Sequence, residues 1–324
     1  MKKNSVLKRF LHSNKLITVL LLVAIIIFYT IMTKGAFLKV RNITNILNAM
    51  SVNAFFAIGA ACLMISGQMD MSAGACGTMS AIMVSNLLEK TELPLLVIIL
   101  CSVAAGAVVG MLNATLIHKF RFQGFIATLA TASILESIGY SFNNAVALRI
   151  EDPVLVFIGT ARIANLIPVS VILIVILFIV YGIILSKTSF GRKVYLIGGN
   201  PQAVRLTGIK PVKISYALFI NSSILGGFAG ILHASRIKSA SMQGTSTSQF
   251  AGMTAAILGG VSFGGGSGGL GGGFLGLLLL NTFNNGISSI GLSSYWQTVA
   301  SGGLLIIALT LDQFANVRNK KLKS

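Results

Sequence analysis

Asp70, in the stretch SGQMDMSAGAC, and Glu136, in IATLATASILESIGYSF, are acids set within apolar sequence. A carboxylate in such a place can relay a proton, cap a helix or line a watery path. Asp70 falls between two apolar runs, with Ser72 beside it at the start of the second. Carboxylates and hydroxyls accept the free amides of a helix start, so a cap and an intramembrane acid are both open readings. Glu136 lies near the middle of its run, where an ionised side chain costs roughly 2.5–3.5 kcal/mol on insertion scales, so it must face protein or water. Proton coupling, a structural hydrogen bond and a pore-lining contact all remain open for it.

Other reactive types are arranged less suggestively. Cys62, Cys76 and Cys101 lie within apolar segments without metal-ligand spacing, and His12, His118 and His233 are scattered, so neither a metal site nor a bound cofactor is expected. The run GGVSFGGGSGGLGGGFLG, Gly259 to Gly276, contains no Lys or Arg. It therefore does not fit the GxxxxGK[ST] phosphate loop, and the chain is expected to be no enzyme and to carry no ATPase site of that kind. A close backbone turn between two membrane segments suits it better. Asn143, Asn144, Asn281, Asn284, Asn285, Ser288 and Ser289 are neutral groups that can exchange hydrogen bonds with hydroxyls. A neutral, hydroxyl-rich solute would suit them, although asparagines also tie membrane helices together.

The elements that must hold these residues follow from composition. Of 324 residues, 54% are apolar and 10% charged, far below the roughly 25% charged that is usual in soluble domains. Ten apolar segments stand out: Leu16–Thr33, Ile46–Ser66, Ser72–Leu88, Pro94–Ile117, Phe125–Leu148, Ile163–Ser186, Lys213–Ser235, Gln249–Ser262, Gly269–Ile290 and Tyr295–Leu311. Most are long enough to cross a hydrocarbon core about 30 Å thick. The fold expected is all-α and polytopic, about ten helices in a single transmembrane domain over residues 1–324. The first segment follows a basic N-terminus, residues 1–15, and reads as a retained span because it is too long for a secretory core and has no cleavage site.

The net charge of +18 does not form one continuous face, so nucleic acid is not an expected partner; the lipid bilayer is. With the N-terminus in the cytoplasm, seventeen of the 25 Lys and Arg fall in inside segments, which include the 187–212 loop and the 313–324 tail. That asymmetry favours cytoplasmic termini. Ser72–Leu88 and Gln249–Ser262 are short and adjoin Gly-rich or polar breaks. Irregular backbone at membrane depth is tolerated where it is buried in protein or lines water, so these breaks point to a path through the protein.

The stretch GGNPQAVRLTGIK, Gly198–Lys210, is a polar island in the inside loop. Two glycines free the backbone, Asn200 suits a helix cap, Pro201 the first helical position and Gly208 the close. Gln202 and Arg205 are expected outward, with Ala203, Val204, Leu206 and Ile209 inward. A chain without a nucleotide site can use a gradient or a separate ATPase, and a capped cytoplasmic helix is a suitable handle for the latter.

FGRKVYLIGGNPQAVRLTGI (Phe190–Ile209), ILGG (Ile257–Gly260) and NNGISSIGLSSYWQTVASGGLLIIALTLD (Asn284–Asp312) carry a family resemblance, with weaker echoes in GQMDMSAGA (Gly67–Ala75) and FIATLAT (Phe125–Thr131). From about Asn45 to Asp312 the chain resembles the permease subunits of bacterial ABC importers of ribose, galactose and xylose, a branch that includes autoinducer-2 and branched-chain amino-acid permeases. The resemblance implies about ten spans in the bacterial cell membrane and a second permease subunit, in a homodimer or heterodimer. It also implies two cytoplasmic ATPase subunits and an extracytoplasmic solute-binding protein. Gly191, Gly198, Gly199, Asn200, Pro201, Gln202, Ala203, Arg205 and Gly208 would form the coupling segment. Asp70, Ser72, Phe125, Glu136, Asn281, Asn284 and Asn285 are the expected path residues. Glu136 stands where the family often has Arg, Gln249 for Glu, Ala251 for Asp, Ser267 for Arg and Gln68 for Gly, which marks a diverged branch. A carrier coupled to protons through Glu136 is the alternative.

Overall fold

Hydrocarbon offers the backbone no hydrogen bonds, so an apolar chain of this kind satisfies its amides within helices. The computed structural model describes residues 14–321 apart from 144–145, 164–166, 207 and 242; the basic stretch 1–13 and Asn144 lie outside the described residues. In chain order the helices are α1 (Asn14–Met32), α2 (Val40–Ile65), α3 (Ala73–Lys90), α4 (Leu95–His118), α5 (Gly124–Asn143), α6 (Pro153–Thr160) and α7 (Val169–Lys187). They continue as α8 (Ser189–Gly199), α9 (Pro201–Leu206), α10 (Pro211–Ile237), α11 (Ser248–Leu258), α12 (Leu270–Ser289) and α13 (Ser294–Lys321). A 3-10 turn (Ala36–Leu38) and two antiparallel pairs of two-residue strands complete the described elements: β1 (Leu148–Arg149) with β4 (Ser239–Ala240), and β2 (Arg162–Ile163) with β3 (Ile167–Pro168). The chain is a polytopic helical membrane protein.

Among the described residues five helices, α2, α4, α5, α7 and α10, are long and apolar enough to cross a membrane. Burial divides them into two classes. The apolar windows of α2 and α10 are 72% and 61% buried, against 28% or less for α4, α5 and α7. The first two are therefore the inner pair, and the others present most of their surface outward, as lipid-facing helices must. The packing is reciprocal: α10 lies against α3 and α4, α2 lies against α11 and α12, and α2 and α10 meet each other. Phe219 of α10 and Met50, Ile58, Leu63, Met64 and Ile65 of α2 are fully buried there.

Three expected segments differ from what forms. Ile163–Ser186 begins its helix only at Val169, because β2 and β3 turn the chain first. Before it lies α6, whose start is a cap: Asp152 Oδ1 accepts from the amides of Val154 and Leu155 at 3.0 Å each, and Pro153 takes the first helical position. Phe125–Leu148 ends its helix at Asn143, and Leu148 joins β1. Gln249–Ser262 yields only the eleven residues of α11, which Gly259 closes.

Without a hydrophobic drive between helices, membrane helices associate through close packing of small residues. Gly77 of α3 and Gly230 of α10 meet in this way, since a Cβ on Gly230 would overlap the Gly77 carbonyl. Gly182 of α7 faces open space. Gly230→Leu is expected to lower the detergent melting midpoint, with an overpacking cost of at least ~1–3 kcal/mol. Gly182→Ala should not lower it, and equal behaviour of the two variants would contradict this packing.

Candidate functional site

The first break is the non-helical stretch between α2 and α3. Asp70 is buried here, 6% exposed, and its Oδ1 accepts from the amide of Ser72 at 2.8 Å and from Ser72 Oγ at 2.6 Å. Asp70 thus accepts an amide at the entry to α3, as its capping role expects, whereas the Ser72 hydroxyl bonds no helix amide. That hydroxyl is instead engaged by Asp70 and by Asn113 of α4, whose Nδ2 donates to it at 2.8 Å. Asn113 Oδ1 in turn accepts from Thr131 Oγ1 of α5 at 2.7 Å, and the Met71 amide donates to Thr128 Oγ1 at 3.1 Å. The break is thus held by a chain of neutral groups from two neighbouring helices, as buried polar groups require. Asn113, Thr128 and Thr131 escaped the sequence reading. The signal available was a lone Asn in MLNATLIH and the threonine spacing in FIATLAT, which carries no direction without the fold.

A second stretch, 241–247, leads into α11. Eleven helical residues rise only about 17 Å, short of the roughly 30 Å hydrocarbon thickness. Turns and bends at 243–247 precede them and pack against the bundle. Thr245 is tied to α3 there: its amide donates to Thr78 Oγ1 at 3.1 Å, and its hydroxyl donates to the Gly74 carbonyl at 3.0 Å. Gln249, at the start of α11, is buried as well.

The remaining expected path residues do not gather on Asp70. Glu136 is half-buried midway along α5, and Phe125 is exposed in its first turn. Asn281 is buried and accepts from Asn53 Nδ2 of α2 at 2.9 Å, while its own Nδ2 donates to the Leu277 carbonyl. Asn284 Oδ1 accepts from Ser301 Oγ at 3.0 Å, which ties α12 to α13. Asn285 accepts from Ser289 one turn on, through its carbonyl at 2.8 Å. Asp70 and Ser72 are brought into direct contact by hydrogen bonds, while Asn281, Asn284 and Asn285 share α12.

The polar island folds largely as its residue types dictate. Asn200 Oδ1 accepts from the Ala203 amide at 3.0 Å, Pro201 opens α9, and Gly208 takes a φ of 74° beyond its end. Three features differ from expectation. Gly198 and Gly199 form the last turn of α8, so they are helical and not loose backbone. Ala203 is exposed and Leu206 is 90% exposed, leaving Val204 as the buried member. A six-residue helix offers less than two turns, too few to turn four apolar positions inward. Ile209 is half-buried, and the Arg205 side chain lies outside the described residues. Gly191 is buried, and a Cβ there would overlap the Leu185 carbonyl, which seats α8 directly on the end of α7. Gln202 is exposed with Ala203 and Leu206.

The chain was compared with known proteins. It is 33% identical over 280 residues to the ribose import permease protein RbsC of Bacillus subtilis, covering 86% of each chain. It is 31% identical over 319 residues to RbsC of Haemophilus influenzae, covering 96% of each. It is 30% identical over 341 residues to the galactose/methyl galactoside import permease protein MglC of Salmonella typhimurium, covering 99% of each. No solved structure matches it. Residues 42–309 match the family described as branched-chain amino acid transport system / permease component, and by that match and those identities the chain belongs to this permease family.

Proposed function

We propose that this chain forms half of the membrane path of an ATP-driven importer and carries a monosaccharide or a similar small, neutral polar solute. The observation that carries the ATPase assignment is α9. It is a separately capped helix outside the long apolar helices, and it displays Leu206, Gln202 and Ala203 to the surroundings. Two cytoplasmic ATPase subunits grip α8 and α9 of two permease subunits, and an extracytoplasmic binding protein delivers the solute. The chain then crosses the membrane ten times with both termini in the cytoplasm, α11 and the turns that lead into it together making one crossing. All 324 residues serve one permease domain, in which 187–212 is the coupling loop and 1–15 and 313–324 are basic cytoplasmic ends.

The solute class is supported by the relatives' names, which are ribose and galactose/methyl galactoside import permeases, and by the neutral amides and hydroxyls that accompany Asp70 at the breaks. Neutral amides and hydroxyls replace the water around sugar hydroxyls without neutralising a charge. Asp70, Ser72, Phe125, Glu136, Asn281, Asn284 and Asn285 serve the path, directly or by setting its helices. No bond of the solute is broken.

One observation favours a proton-coupled carrier as the second reading. Glu136 is half-buried in the middle of α5 and pairs with no basic side chain among the described residues. An acid so placed is a candidate proton carrier.

Two measurements separate the readings. The tagged chain, purified in mild detergent, is expected to bring an ATPase subunit with it, and both Leu206→Asp and deletion of Pro201–Thr207 should abolish that recovery and solute uptake while the chain still inserts. Uptake that survives the deletion would overturn the ATP-driven reading. Glu136→Gln is expected to leave the pH dependence of uptake unchanged; a pH profile that flattens, with uptake by the chain alone in proteoliposomes under a pH gradient, would instead establish the carrier.

A further inference from the structure

Gly198, in the last turn of α8, rests on bare backbone from two other parts of the chain. A Cβ at this position would overlap the Ile65 carbonyl, at the end of α2, and would come to 2.5 Å from the Gly266 amide, in the turn between α11 and α12. Those two groups are themselves bonded, Gly266 N donating to Ile65 O at 2.8 Å. Gly265 adopts a φ of 86°, and a Cβ on it would lie 3.0 Å from the Cα atoms of both Gly198 and Gly67. Gly266, with a φ of 73°, would bring a Cβ to 2.7 Å from Gly199 Cα. Three segments thus meet without an intervening side chain.

Both segments under Gly198 lead to the breaks. Gly67 opens the stretch that carries Asp70. Next to it, Gln68 Oε1 accepts from Ser215 Oγ of α10, and Ser215 is also hydrogen-bonded to His118 Nε2 at the end of α4. The Gly265–Gly266 turn joins α11, which carries the Thr245 stretch at its start, to α12. A second tether lies one turn before Gly198: Tyr195 Oη donates to the Gly268 carbonyl at 2.8 Å. Burial pushes the Tyr195 hydroxyl above its usual pKa, so it keeps the proton it donates. On the far side of the turn the Phe263 amide donates to Asp312 Oδ2 of α13 at 3.0 Å.

We propose that Gly198 is the positioning residue that passes movement of the α8–α9 handle into the α2–α3 break and the α11–α12 turn together, with Tyr195 as its second attachment to the turn. The physical reason is stiffness. Side chains between packed elements can change rotamer and absorb a sub-ångström displacement, whereas backbone in contact with backbone transmits it, and packed interfaces then switch between discrete arrangements. A structural contact alone would explain the glycine. It would not require the same residue to touch both segments and the bond that joins them.

The inference rests on the ATP-driven reading, and its test keeps the two apart. Met69→Cys and Ser246→Cys, placed singly in a chain whose Cys62, Cys76 and Cys101 are replaced by Ser, report on the two breaks through maleimide alkylation. The measurement uses the whole purified complex, without and with ATP and vanadate. In the parent, nucleotide is expected to change the alkylation rate at both positions. In Gly198→Ala the ATPase subunit should still co-purify, while the nucleotide-dependent change is lost at both; Tyr195→Phe should lose it chiefly at Ser246→Cys. Full changes at both reporters in an assembled Gly198→Ala complex would overturn the proposal. Should Gly198→Ala fail to assemble, Tyr195→Phe decides, and an unaltered response at Ser246→Cys would overturn it equally. Absence of any ATPase from the parent preparation would remove the ATP-driven reading and this inference with it.

Discussion

An amide or carbonyl left unpaired in hydrocarbon costs several kcal/mol, and the arrangement of this chain depends on that constraint. Long apolar stretches have one solution, the helix, and adopt it. The consequences appear where the helix stops. Between α2 and α3 the chain pairs Asp70 with Ser72 and recruits Asn113, Thr128 and Thr131 from α4 and α5. Before α11 it lays Thr245 on Gly74 and Thr78. Each break therefore fixes its neighbours, because the helices that supply its partners cannot leave without stranding a polar group.

The same constraint explains the glycines. Helices dissolved in lipid gain nothing by excluding water from one another, so the inner contacts are as close as backbone permits. Gly77 and Gly230 bring α3 and α10 together, and Gly272 and Gly276 bring α12 onto α11 at Gly259 and Ala255. In the Gly259–Gly276 run two uses are interleaved. Gly265, Gly266 and Gly268 take left-handed φ values and make the turn, while Gly272 and Gly276 belong to helix packing. A phosphate-binding purpose is not needed to account for the run.

Function follows from what the frame leaves outside itself. The inner pair α2 and α10 is nearly consumed by packing, whereas α9 stands apart with Leu206 uncovered. A helix whose described side chains are exposed apart from Val204 has surface available for another chain. Membership of the permease family and an exposed, capped helix attached through Gly198 to the broken helices both support the proposal that force enters at α8 and α9 and that the breaks respond.

Composition by itself determined that this chain lives in a membrane, and the apolar runs determined nearly every long helix, because period and length in hydrocarbon leave few alternatives. Local chemistry determined the cap at Asn200, the start at Pro201 and the left-handed close at Gly208, since each depends only on neighbours in sequence. Tertiary structure alone decided the rest. That Asn281 binds Asn53, that Asn113 holds Ser72, and that Leu206 faces outward while Val204 faces in depend on contacts between residues far apart in the chain. The helix at Pro153–Thr160 was written locally, in Asp152 and Pro153, but is too short for hydrophobic length to reveal. Gly198 shows the division most plainly: its sequence suggested freedom of the backbone, and the fold uses its missing side chain to bring three segments into contact, a role that no stretch of sequence taken alone can express.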